Sequence, residues 1–599
     1  MIQYLLRSFK MIYQLNRFWV FATVFFRIMN GFLPLLELWI LKSLVNEATM
    51  YITNNNSHLI LILKLILLQF SIMILRSITN QYMSILDTKM EQKLDYHMGE
   101  MVMNKLISVP YYYYEIPSFY NHQFRIRNNY GTRFLRPIKN TLEILQNCIT
   151  IVSYIGFLFF THWALVIMGI IVAIPTFIIQ YKYGQSKFHL FKDQSGNLRE
   201  AQYLTSLFGD KQSTKEIRLF SLQDTLLEKW RNIVLNNNKQ LIGILNKQKN
   251  ANIGLDSFSA LLLAGAAVLT VYILKIKKLS IGSFVTTIQS LKDLQYSVNN
   301  TSFILAVILE SSLYIKDFFE FLDYEDNRSI RNQIKPNLKT NLDFPNSFGN
   351  ISIENLYYKY PMSESYTLKG ISLNIKEREK VAIVGDNGSG KSTLIKILVG
   401  LYQPTKGNVF FSDREIRNIK DDDLRRNLTV IFQDFVRFAY SVKENIAFSN
   451  IADLDNDEKI NEIANISGVK DLINKLPQGY ETNLGKILPN SVDISGGEWQ
   501  KIALSRALFK DSNIVILDEP TASLDPQSEL DIFNKFLDLV SDKTAIFISH
   551  RMASARMADR IIVLKNGEIV EEGSHVELMI RRKFYYEMYE AQATWYQEQ

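Results

Sequence analysis

The fold of this chain is decided by one stretch, Gly385-Asp386-Asn387-Gly388-Ser389-Gly390-Lys391-Ser392. It fits the pattern G-x-x-x-x-G-K-[ST], which is typical of a phosphate-binding loop. An apolar, strand-like run (381–384) precedes it and a helix-like run (393–399) follows it, which is the context this loop needs. Its backbone N–H groups and the following helix N-terminus form an anion site. The pattern predicts that Lys391 reaches the β- and γ-phosphates of a nucleotide and that Ser392 helps to hold Mg²⁺.

A second stretch completes the pattern of a nucleotide hydrolase, Asn513-Ile514-Val515-Ile516-Leu517-Asp518-Glu519-Pro520. Its four apolar residues predict a buried parallel strand, and two carboxylates follow at the end of that strand. We expect Asp518 to bind Mg²⁺ through water and Glu519 to polarise the attacking water. Two adjacent acids could instead form a solvated turn, but the apolar run and the upstream loop favour the catalytic interpretation.

Between these stretches lies Ile494-Ser495-Gly496-Gly497-Glu498-Trp499-Gln500. Here the chain resembles the ABC ATPases, whose signature sequence is Leu-Ser-Gly-Gly-Gln. Ile494 replaces the leucine and Glu498 replaces the glutamine, whereas the Ser-Gly-Gly core is present. A serine and two glycines that open a helix form another anion site, with backbone donors and one hydroxyl.

Further positions carry the resemblance, although each alone would have an ordinary structural interpretation. Tyr360 resembles the aromatic residue that stacks on adenine, and Gln433 resembles the glutamine that contacts Mg²⁺ and senses the membrane domain. Asp525 lies in a stretch similar to the D-loop, and His550 resembles the switch histidine that contacts the γ-phosphate. The resemblance implies ATP and Mg²⁺ as cofactors, Glu519, His550 and Lys391 as catalytic residues, and Ser392, Gln433 and Asp518 at the metal. The implied nucleotide-binding set is Tyr360, Gly385, Asp386, Asn387, Gly388, Ser389, Gly390, Lys391, Ser392, Thr393, Gln433, Ser495, Gly496, Gly497 and Asp525.

Composition divides the 599 residues into two parts. Long apolar runs predict a transmembrane domain over 1–322, a polar, Asn- and Pro-containing stretch predicts a linker over 323–350, and short apolar strands predict an α/β domain over 351–599. The net charge of +7 fits basic cytoplasmic loops. No basic stripe interleaved with aromatic residues indicates a nucleic-acid partner.

The apolar runs predict membrane-spanning helices, each of which needs roughly 20 mostly apolar residues. The sixth of them is weaker, since it contains Lys292 and Asp293, and it rests partly on the resemblance. The polar segments 87–137 and 182–251 are placed in the cytoplasm, because the second is basic on balance. The predicted spans are 18–41, 59–78, 144–163, 164–180, 255–274 and 281–309.

Six spans followed by one nucleotide-binding domain resemble half of an ABC exporter. The resemblance implies an all-α six-helix transmembrane domain of ABC exporter type followed by a P-loop α/β nucleotide-binding domain. It also implies an interfacial elbow helix over 1–16 and coupling helices near 111–120 and 220–226. Soluble ABC ATPases that act on DNA or ribosomes lack such apolar runs.

The cargo prediction rests on stretches that resemble the lantibiotic exporters: 400–405, 432–435, 496–504 and the Tyr- and Glu-rich tail 585–596. They predict ATP-driven export of a modified antimicrobial peptide across the cytoplasmic membrane of a bacterium. The expected partners are the lipid bilayer, the peptide and its modification enzymes. A multidrug or lipid exporter is the alternative. Cys148 is the only cysteine and lies in the third span, so we expect neither a disulfide within the chain nor a leader peptidase.

One copy of each motif per chain predicts a homodimer. The phosphate loop and the signature of one ABC domain point away from each other in the family fold, so each ATP site would combine two chains. Arg27, Glu37, Lys64 and Arg76 are costly inside predicted spans. They could line a polar cavity or form pairs between helices, and the sequence leaves both interpretations open.

Overall fold

The computed structural model describes residues 2–54, 59–126, 130–277, 280–325, 350–519, 540–549 and 552–597, together with 534, 536 and 537. The chain forms two compact units. The first comprises Met1–Ile107 and Asn121–Tyr324, and the second comprises Ser108–Tyr120 and Glu325–Gln599. Most of the predicted linker, 326–349, lies outside the described residues.

The first unit is built from helices. Five of its described helices are long and apolar enough to cross a membrane, which agrees with the first five predicted spans. The chain is therefore a multi-pass membrane protein. In chain order the helices are α1 (Ile2–Leu15), α2 (Arg17–Asn54), α3 (Leu59–Ser108), α4 (Pro117–Ile126), α5 (Tyr130–Thr161), α6 (Trp163–Asp193), α7 (Ser195–Gly209), α8 (Lys211–Leu219), α9 (Gln223–Lys277) and α10 (Ile281–Leu322).

The weaker sixth span lies in α10 (Ile281–Leu322), which is not among those five helices. Leu291 and Leu294 of α10 are nevertheless buried, in a cluster with Leu38 of α2, Leu158 of α5 and Ala266 of α9. Leu165 of α6 belongs to the same cluster, so packing against four other helices, and not hydropathy alone, holds α10 in the bundle.

Charged side chains of the bundle are paired between helices. Arg27 of α2 donates to Gln146 at 3.0 Å and lies 3.7 Å from the carboxylate of Glu143. Glu37 forms an ion pair with Arg76 of α3 at 3.3 Å. Of the two interpretations that the sequence left open, the structure shows interhelical pairing for Arg27, Glu37 and Arg76.

A buried polar contact joins three helices of the first unit. The Trp19 indole N–H donates to Asp87 Oδ1 at 3.1 Å, and Lys139 Nζ lies 2.7 Å from Asp87 Oδ2. Trp19 is fully buried and Asp87 is 7% exposed, so the carboxylate depends on these two donors.

The second unit contains two sheets. A four-stranded antiparallel sheet has the order β2-β1-β4-β5, and a six-stranded, mostly parallel sheet has the order β10-β9-β3-β8-β7-β6. Strands β7 and β8 are buried at every position, as expected for apolar runs in the centre of a parallel sheet. The strands are β1 (Ile351–Tyr358), β2 (Leu368–Ile375), β3 (Lys380–Gly385), β4 (Lys406–Phe411), β5 (Arg414–Glu415), β6 (Leu428–Ile431), β7 (Ile514–Asp518), β8 (Thr544–Ile548), β9 (Arg560–Lys565) and β10 (Glu568–Gly573).

Helices cover this sheet and form a separate cluster beside it. One core combines both sheets with α11, and the opposite face of the parallel sheet packs on α16, α18 and α19. A third cluster joins α13, α14, α15 and α16. The helices are α11 (Lys391–Leu398), α12 (Asp421–Asn427), α13 (Val442–Ala447), α14 (Asp457–Ile466), α15 (Lys470–Ile473), α16 (Gly496–Phe509), α17 (Met552–Ala555), α18 (His575–Arg581) and α19 (Phe584–Gln597).

The predicted coupling segment 111–120 belongs to the second unit, as part of Ser108–Tyr120. The segment contains a short 3-10 helix, Tyr111–Glu115, followed by the first residues of α4. The other predicted coupling segment, 220–226, is a turn at Phe220–Ser221 that leads into α9, and Phe220 is 62% exposed.

Candidate functional site

Several residues of the predicted nucleotide site lie at one edge of the parallel sheet. Strands β3 and β7 flank β8, and β6 lies beside β7. The carboxyl ends of parallel strands lie at a common edge, which is where open α/β sheets bind ligands. This topology places the phosphate loop after β3, the Asp518 and Glu519 carboxylates at the end of β7, and Gln433 two residues beyond β6.

Two glycines of the phosphate loop are required by its backbone. Gly385 has φ +151° and Gly390 has φ +102°. A Cβ at Gly385 would lie 2.0 Å from the Leu564 carbonyl oxygen, and one at Gly390 would lie 2.6 Å from Leu368 Cδ2. Only glycine fits these two positions, so the loop can turn tightly between β3 and α11.

Lys391 lies folded into the loop that precedes it. Its Nζ donates to the carbonyl oxygens of Gly385 and Asp386, both at 2.8 Å. The side chain is buried, and this burial lowers the pKa of Lys391, although the nearby Glu519 and Asp518 carboxylates partly counteract the shift. The ammonium group therefore sits inside the loop that would surround a phosphate, with backbone carbonyls as its present acceptors.

Asp518 carries a carboxylate oxygen that has no hydrogen-bond partner among the described residues. The residue is 4% exposed, and the atom without a partner is its buried Oδ1. Burial raises the pKa of Asp518 to about 6, although a hydrogen bond from Ser392 and the charge of Lys391 counteract the shift. A bare carboxylate oxygen beside a hydroxyl is a suitable pair of oxygen donors for Mg²⁺, which usually takes one or two protein ligands and keeps several waters.

Glu519 and Gln433 contact each other across the edge of the sheet. Gln433 Nε2 donates to Glu519 Oε2 at 2.8 Å. Glu519 has φ +49°, in the left-handed region that a non-glycine residue seldom adopts. Unusual backbone of this kind costs about 1–3 kcal/mol and is concentrated at functional sites. The strain at Glu519 is therefore consistent with a functional role for its carboxylate.

Tyr360 lies beside the helix that follows the loop. Its hydroxyl is 3.0 Å from Thr393 Oγ1. Its ring packs edge-on against the rings of Tyr358 and Tyr402, with centroids 5.3 and 5.6 Å apart. The predicted adenine residue is thus joined to the phosphate-loop helix.

The signature residues open α16. Ser495 caps the helix, because its Oγ accepts from the Glu498 backbone N–H at 3.3 Å while Glu498 Oε2 accepts from the Ser495 backbone N–H at 2.7 Å. Glu498, one of the two departures from the family signature, therefore completes a capping box. Ser495 and Gly496 are exposed, and none of the polar contacts of Ser495 in the described part of the chain involves the phosphate loop.

Some predicted site residues cannot be placed, and some neighbours were not predicted. Asp525 and His550 lie outside the described residues. Tyr402 and Glu115, whose side chains are hydrogen-bonded to each other within the second unit, were not identified as site residues from the sequence. Their separation of 287 residues leaves no local pattern by which the pair could be found.

Comparison with known proteins gives matches in both units. A profile described as ABC transporter matches residues 368–522, and one described as ABC transporter transmembrane region matches residues 139–298. The subtilin transport ATP-binding protein SpaT of Bacillus subtilis is 29% identical over 590 residues, which are 98% of this chain and 94% of that protein. The nisin transport ATP-binding protein NisT of Lactococcus lactis is 30% identical over 586 residues, which are 97% of this chain and 95% of that protein.

Other relatives match a smaller part of the chain. The ATP-dependent lipid A-core flippase of Syntrophus aciditrophicus is 36% identical over 251 residues, which are 42% of this chain and 41% of the flippase. Among solved structures, a bacterial Atm1-family ABC exporter with ATP bound superposes with a TM-score of 0.78 at 22% identity, covering 96% of this chain and 98% of that one. The last match shows a shared fold.

Proposed function

We propose a cargo for this chain, which belongs to the ABC transporter family as an exporter half-transporter that couples ATP hydrolysis to transport. The proposed cargo is a modified antimicrobial peptide, exported across a bacterial cytoplasmic membrane. One observation carries the peptide proposal. Two relatives that align over nearly the whole chain, membrane helices included, are named for the peptides subtilin and nisin. The flippase match covers 42% of the chain, but it favours a lipid exporter as the second candidate.

We further propose roles for the residues at the sheet edge. Ser392 and Asp518 would hold Mg²⁺, helped by Gln433, and the ion would neutralise charge on the nucleotide's phosphates. Lys391 would exchange its two carbonyl acceptors for phosphate oxygens. Glu519, held by Gln433, would position the attacking water and accept its proton. His550 and Asp525 keep the roles that the family resemblance gives them.

The ATP site is proposed to be composite. Ser495, Gly496 and Gly497 present backbone donors at an exposed helix N-terminus, and the Ser495 side chain contacts Glu498 of its own helix. We infer that these donors bind the nucleotide held by the phosphate loop of a second copy. A symmetric homodimer would then contain two equivalent sites.

The cargo class is tested in proteoliposomes that contain the purified protein. Four additions are compared: modified precursor nisin with its leader, the same peptide without modification, lipid A and a cationic dye. We expect ATP-dependent uptake of the modified peptide into vesicles whose ATPase domains face outward, and no such uptake by Glu519→Gln. Uptake or flipping of lipid A or the dye, without peptide transport, would favour the second candidate.

The composite site is tested with dimers that contain one wild-type and one Lys391→Ala chain. Two different affinity tags permit purification of the mixed dimer. We expect its ATPase activity per wild-type chain to be well below that of the wild-type dimer, because one disabled site disturbs the shared interface. Full activity per wild-type chain, or normal hydrolysis by monomers, would contradict the composite site.

A further inference from the structure

Residues 108–120 pack against the rest of the second unit, which contains the ATPase domain, through a group of aromatic side chains. Tyr402, which follows α11, is 3% exposed, and its hydroxyl donates to the Glu115 carboxylate. The Tyr111 ring lies 5.6 Å from the Tyr402 ring, and Tyr112 packs against the core of the same unit. Burial and the bond to Glu115 both raise the pKa of Tyr402, so this hydroxyl remains a donor at physiological pH.

The same tyrosine contacts the predicted adenine residue on its other side. The ring of Tyr402 stacks on Tyr358, with centroids 5.1 Å apart and planes 16° apart. Tyr360 meets both rings edge-on, at 5.6 Å from Tyr402. A continuous series of aromatic contacts therefore runs from Tyr360 through Tyr402 to Tyr111 and Glu115.

We propose that this series transmits the effect of adenine binding from Tyr360 to residues 108–120. Tyr402 is the positioning residue, and its hydrogen bond to Glu115 is the link. The proposal rests on the proposed adenine contact of Tyr360. A base that stacks on Tyr360 fixes a ring which packs against the buried Tyr402. Because close-packed groups cannot move independently, Tyr402 adjusts with it, and Glu115 and Tyr111 follow.

This series differs from the contact that the family resemblance assigns to Gln433. Gln433 contacts Glu519 at the γ-phosphate end of the site, whereas Tyr402 lies at the adenine end. The segment continues covalently into α3 at one end and α4 at the other, so a change in its position is transmitted to two helices of the membrane unit. In this proposal the protein responds to occupation by the base separately from its response to phosphate.

The test is amide hydrogen exchange measured by mass spectrometry on the full-length protein in lipid nanodiscs. Two peptides are followed, 108–120 and 385–398, without nucleotide and with a saturating, non-hydrolysable ATP analogue. In the wild type we expect the analogue to slow exchange in both peptides. In Tyr402→Phe, which keeps the ring but loses the hydroxyl, we expect the analogue to protect 385–398 as before while its effect on 108–120 is lost.

Three further variants sharpen the assignment. Glu115→Gln keeps an acceptor oxygen and should retain part of the effect on 108–120. In Tyr360→Ala, a saturating concentration of the analogue should slow exchange in 385–398 but not in 108–120. Tyr366→Phe, the matched control, removes a hydroxyl whose ring contacts Tyr357 and Lys406, and it should behave as wild type.

The outcomes separate the possible failures. If Tyr402→Phe raises exchange of 108–120 equally with and without the analogue and leaves the analogue's effect intact, the contact is merely structural and the proposal is wrong. If Tyr360→Ala preserves the effect on 108–120, the signal does not begin at the adenine and the proposal is also wrong. If the wild-type peptide 385–398 is not protected, the proposed ATP site itself fails; if only 108–120 does not respond, the inference alone fails.

Discussion

Asp518→Asn should make the nucleotide-free ATPase domain more stable while impairing its response to Mg²⁺ and ATP. Burial raises the pKa of Asp518 to about 6, about two units above the ordinary value of an aspartate. At pH 7.5 the ionised carboxylate therefore costs the folded state about 3 kcal/mol at most, since one pKa unit corresponds to about 1.4 kcal/mol. Asparagine removes the charge and keeps the shape.

The sign of the pH dependence follows from the raised pKa. The folded state binds the proton more tightly than the unfolded state, so the cost is fully present above pH 6 and declines as the pH falls towards 4. At pH 5 about half of the cost should remain, because the folded-state carboxylate is then mostly protonated. The stabilising effect of Asp518→Asn should decrease in proportion.

The assay is thermal unfolding of the ATPase domain in the detergent-solubilised protein, at pH 7.5 and pH 5, with and without Mg²⁺ and ATP. At pH 7.5 without nucleotide we expect the variant's melting temperature to rise by up to about 10 °C, for about 3 kcal/mol in a domain of this size. Asp413→Asn, which removes an exposed carboxylate, is the control and should have little effect. A variant that melts at or below the wild-type temperature, or a gain of equal size at both pH values, would refute the reasoning.

Three other predictions concern separate parts of the molecule. Tyr360→Ala should raise the KM for ATP with little change in kcat, because it removes stacking on the adenine worth roughly 1–3 kcal/mol. Steady-state kinetics test this, and a lower kcat at unchanged KM would contradict the assignment of Tyr360 to the adenine. Arg506→Lys should destabilise the ATPase domain by about 2–4 kcal/mol in urea unfolding, because Arg506 donates to the Asn445 backbone and side-chain oxygens at 3.1 and 3.0 Å. An unchanged free energy of unfolding would contradict this prediction. Asp87→Asn should lower the stability of the membrane unit by about 3–5 kcal/mol, since it leaves Lys139 without its carboxylate. Thermal unfolding in detergent tests this, and a loss of stability no larger than that caused by Trp19→Phe would contradict the prediction.

The phosphate loop and the β7 carboxylates could be predicted from sequence because their chemistry is local. A glycine at 390 is required by a φ of +102° and by a Cβ contact of 2.6 Å, and such requirements leave a fixed spacing in the sequence. Glu498 shows the limit of family comparison. It is a departure from the signature, yet Ser495 and Glu498 match the capping-box spacing, which physical reasoning alone could have identified.

Contacts between distant parts of the chain could not be predicted from local sequence patterns. Arg27 and Glu37 lie on one helix, but their partners come from α5 and α3, and no pattern in α2 reveals which helix packs beside it. The bond between Tyr402 and Glu115 is likewise a product of tertiary structure. The domain boundaries remain a prediction, to which the structure adds that 108–120 packs with the ATPase unit.

Three features of the proposed ATP site cost free energy that a bound nucleotide would offset. Lys391 satisfies its charge with two backbone carbonyls, Asp518 keeps a bare buried oxygen, and Glu519 has strained backbone. The buried charges of Lys391 and Asp518 and the backbone of Glu519 each cost free energy, and in the proposed roles a Mg²⁺-bound triphosphate would supply phosphate oxygens to Lys391 and a cation to Asp518. Part of the binding energy is then expended on this rearrangement instead of on affinity. If these residues have the proposed roles, the site would bind nucleotide less tightly than its contacts would allow, but each binding event would change the structure, which is the property that a transporter driven by repeated ATP binding and release requires.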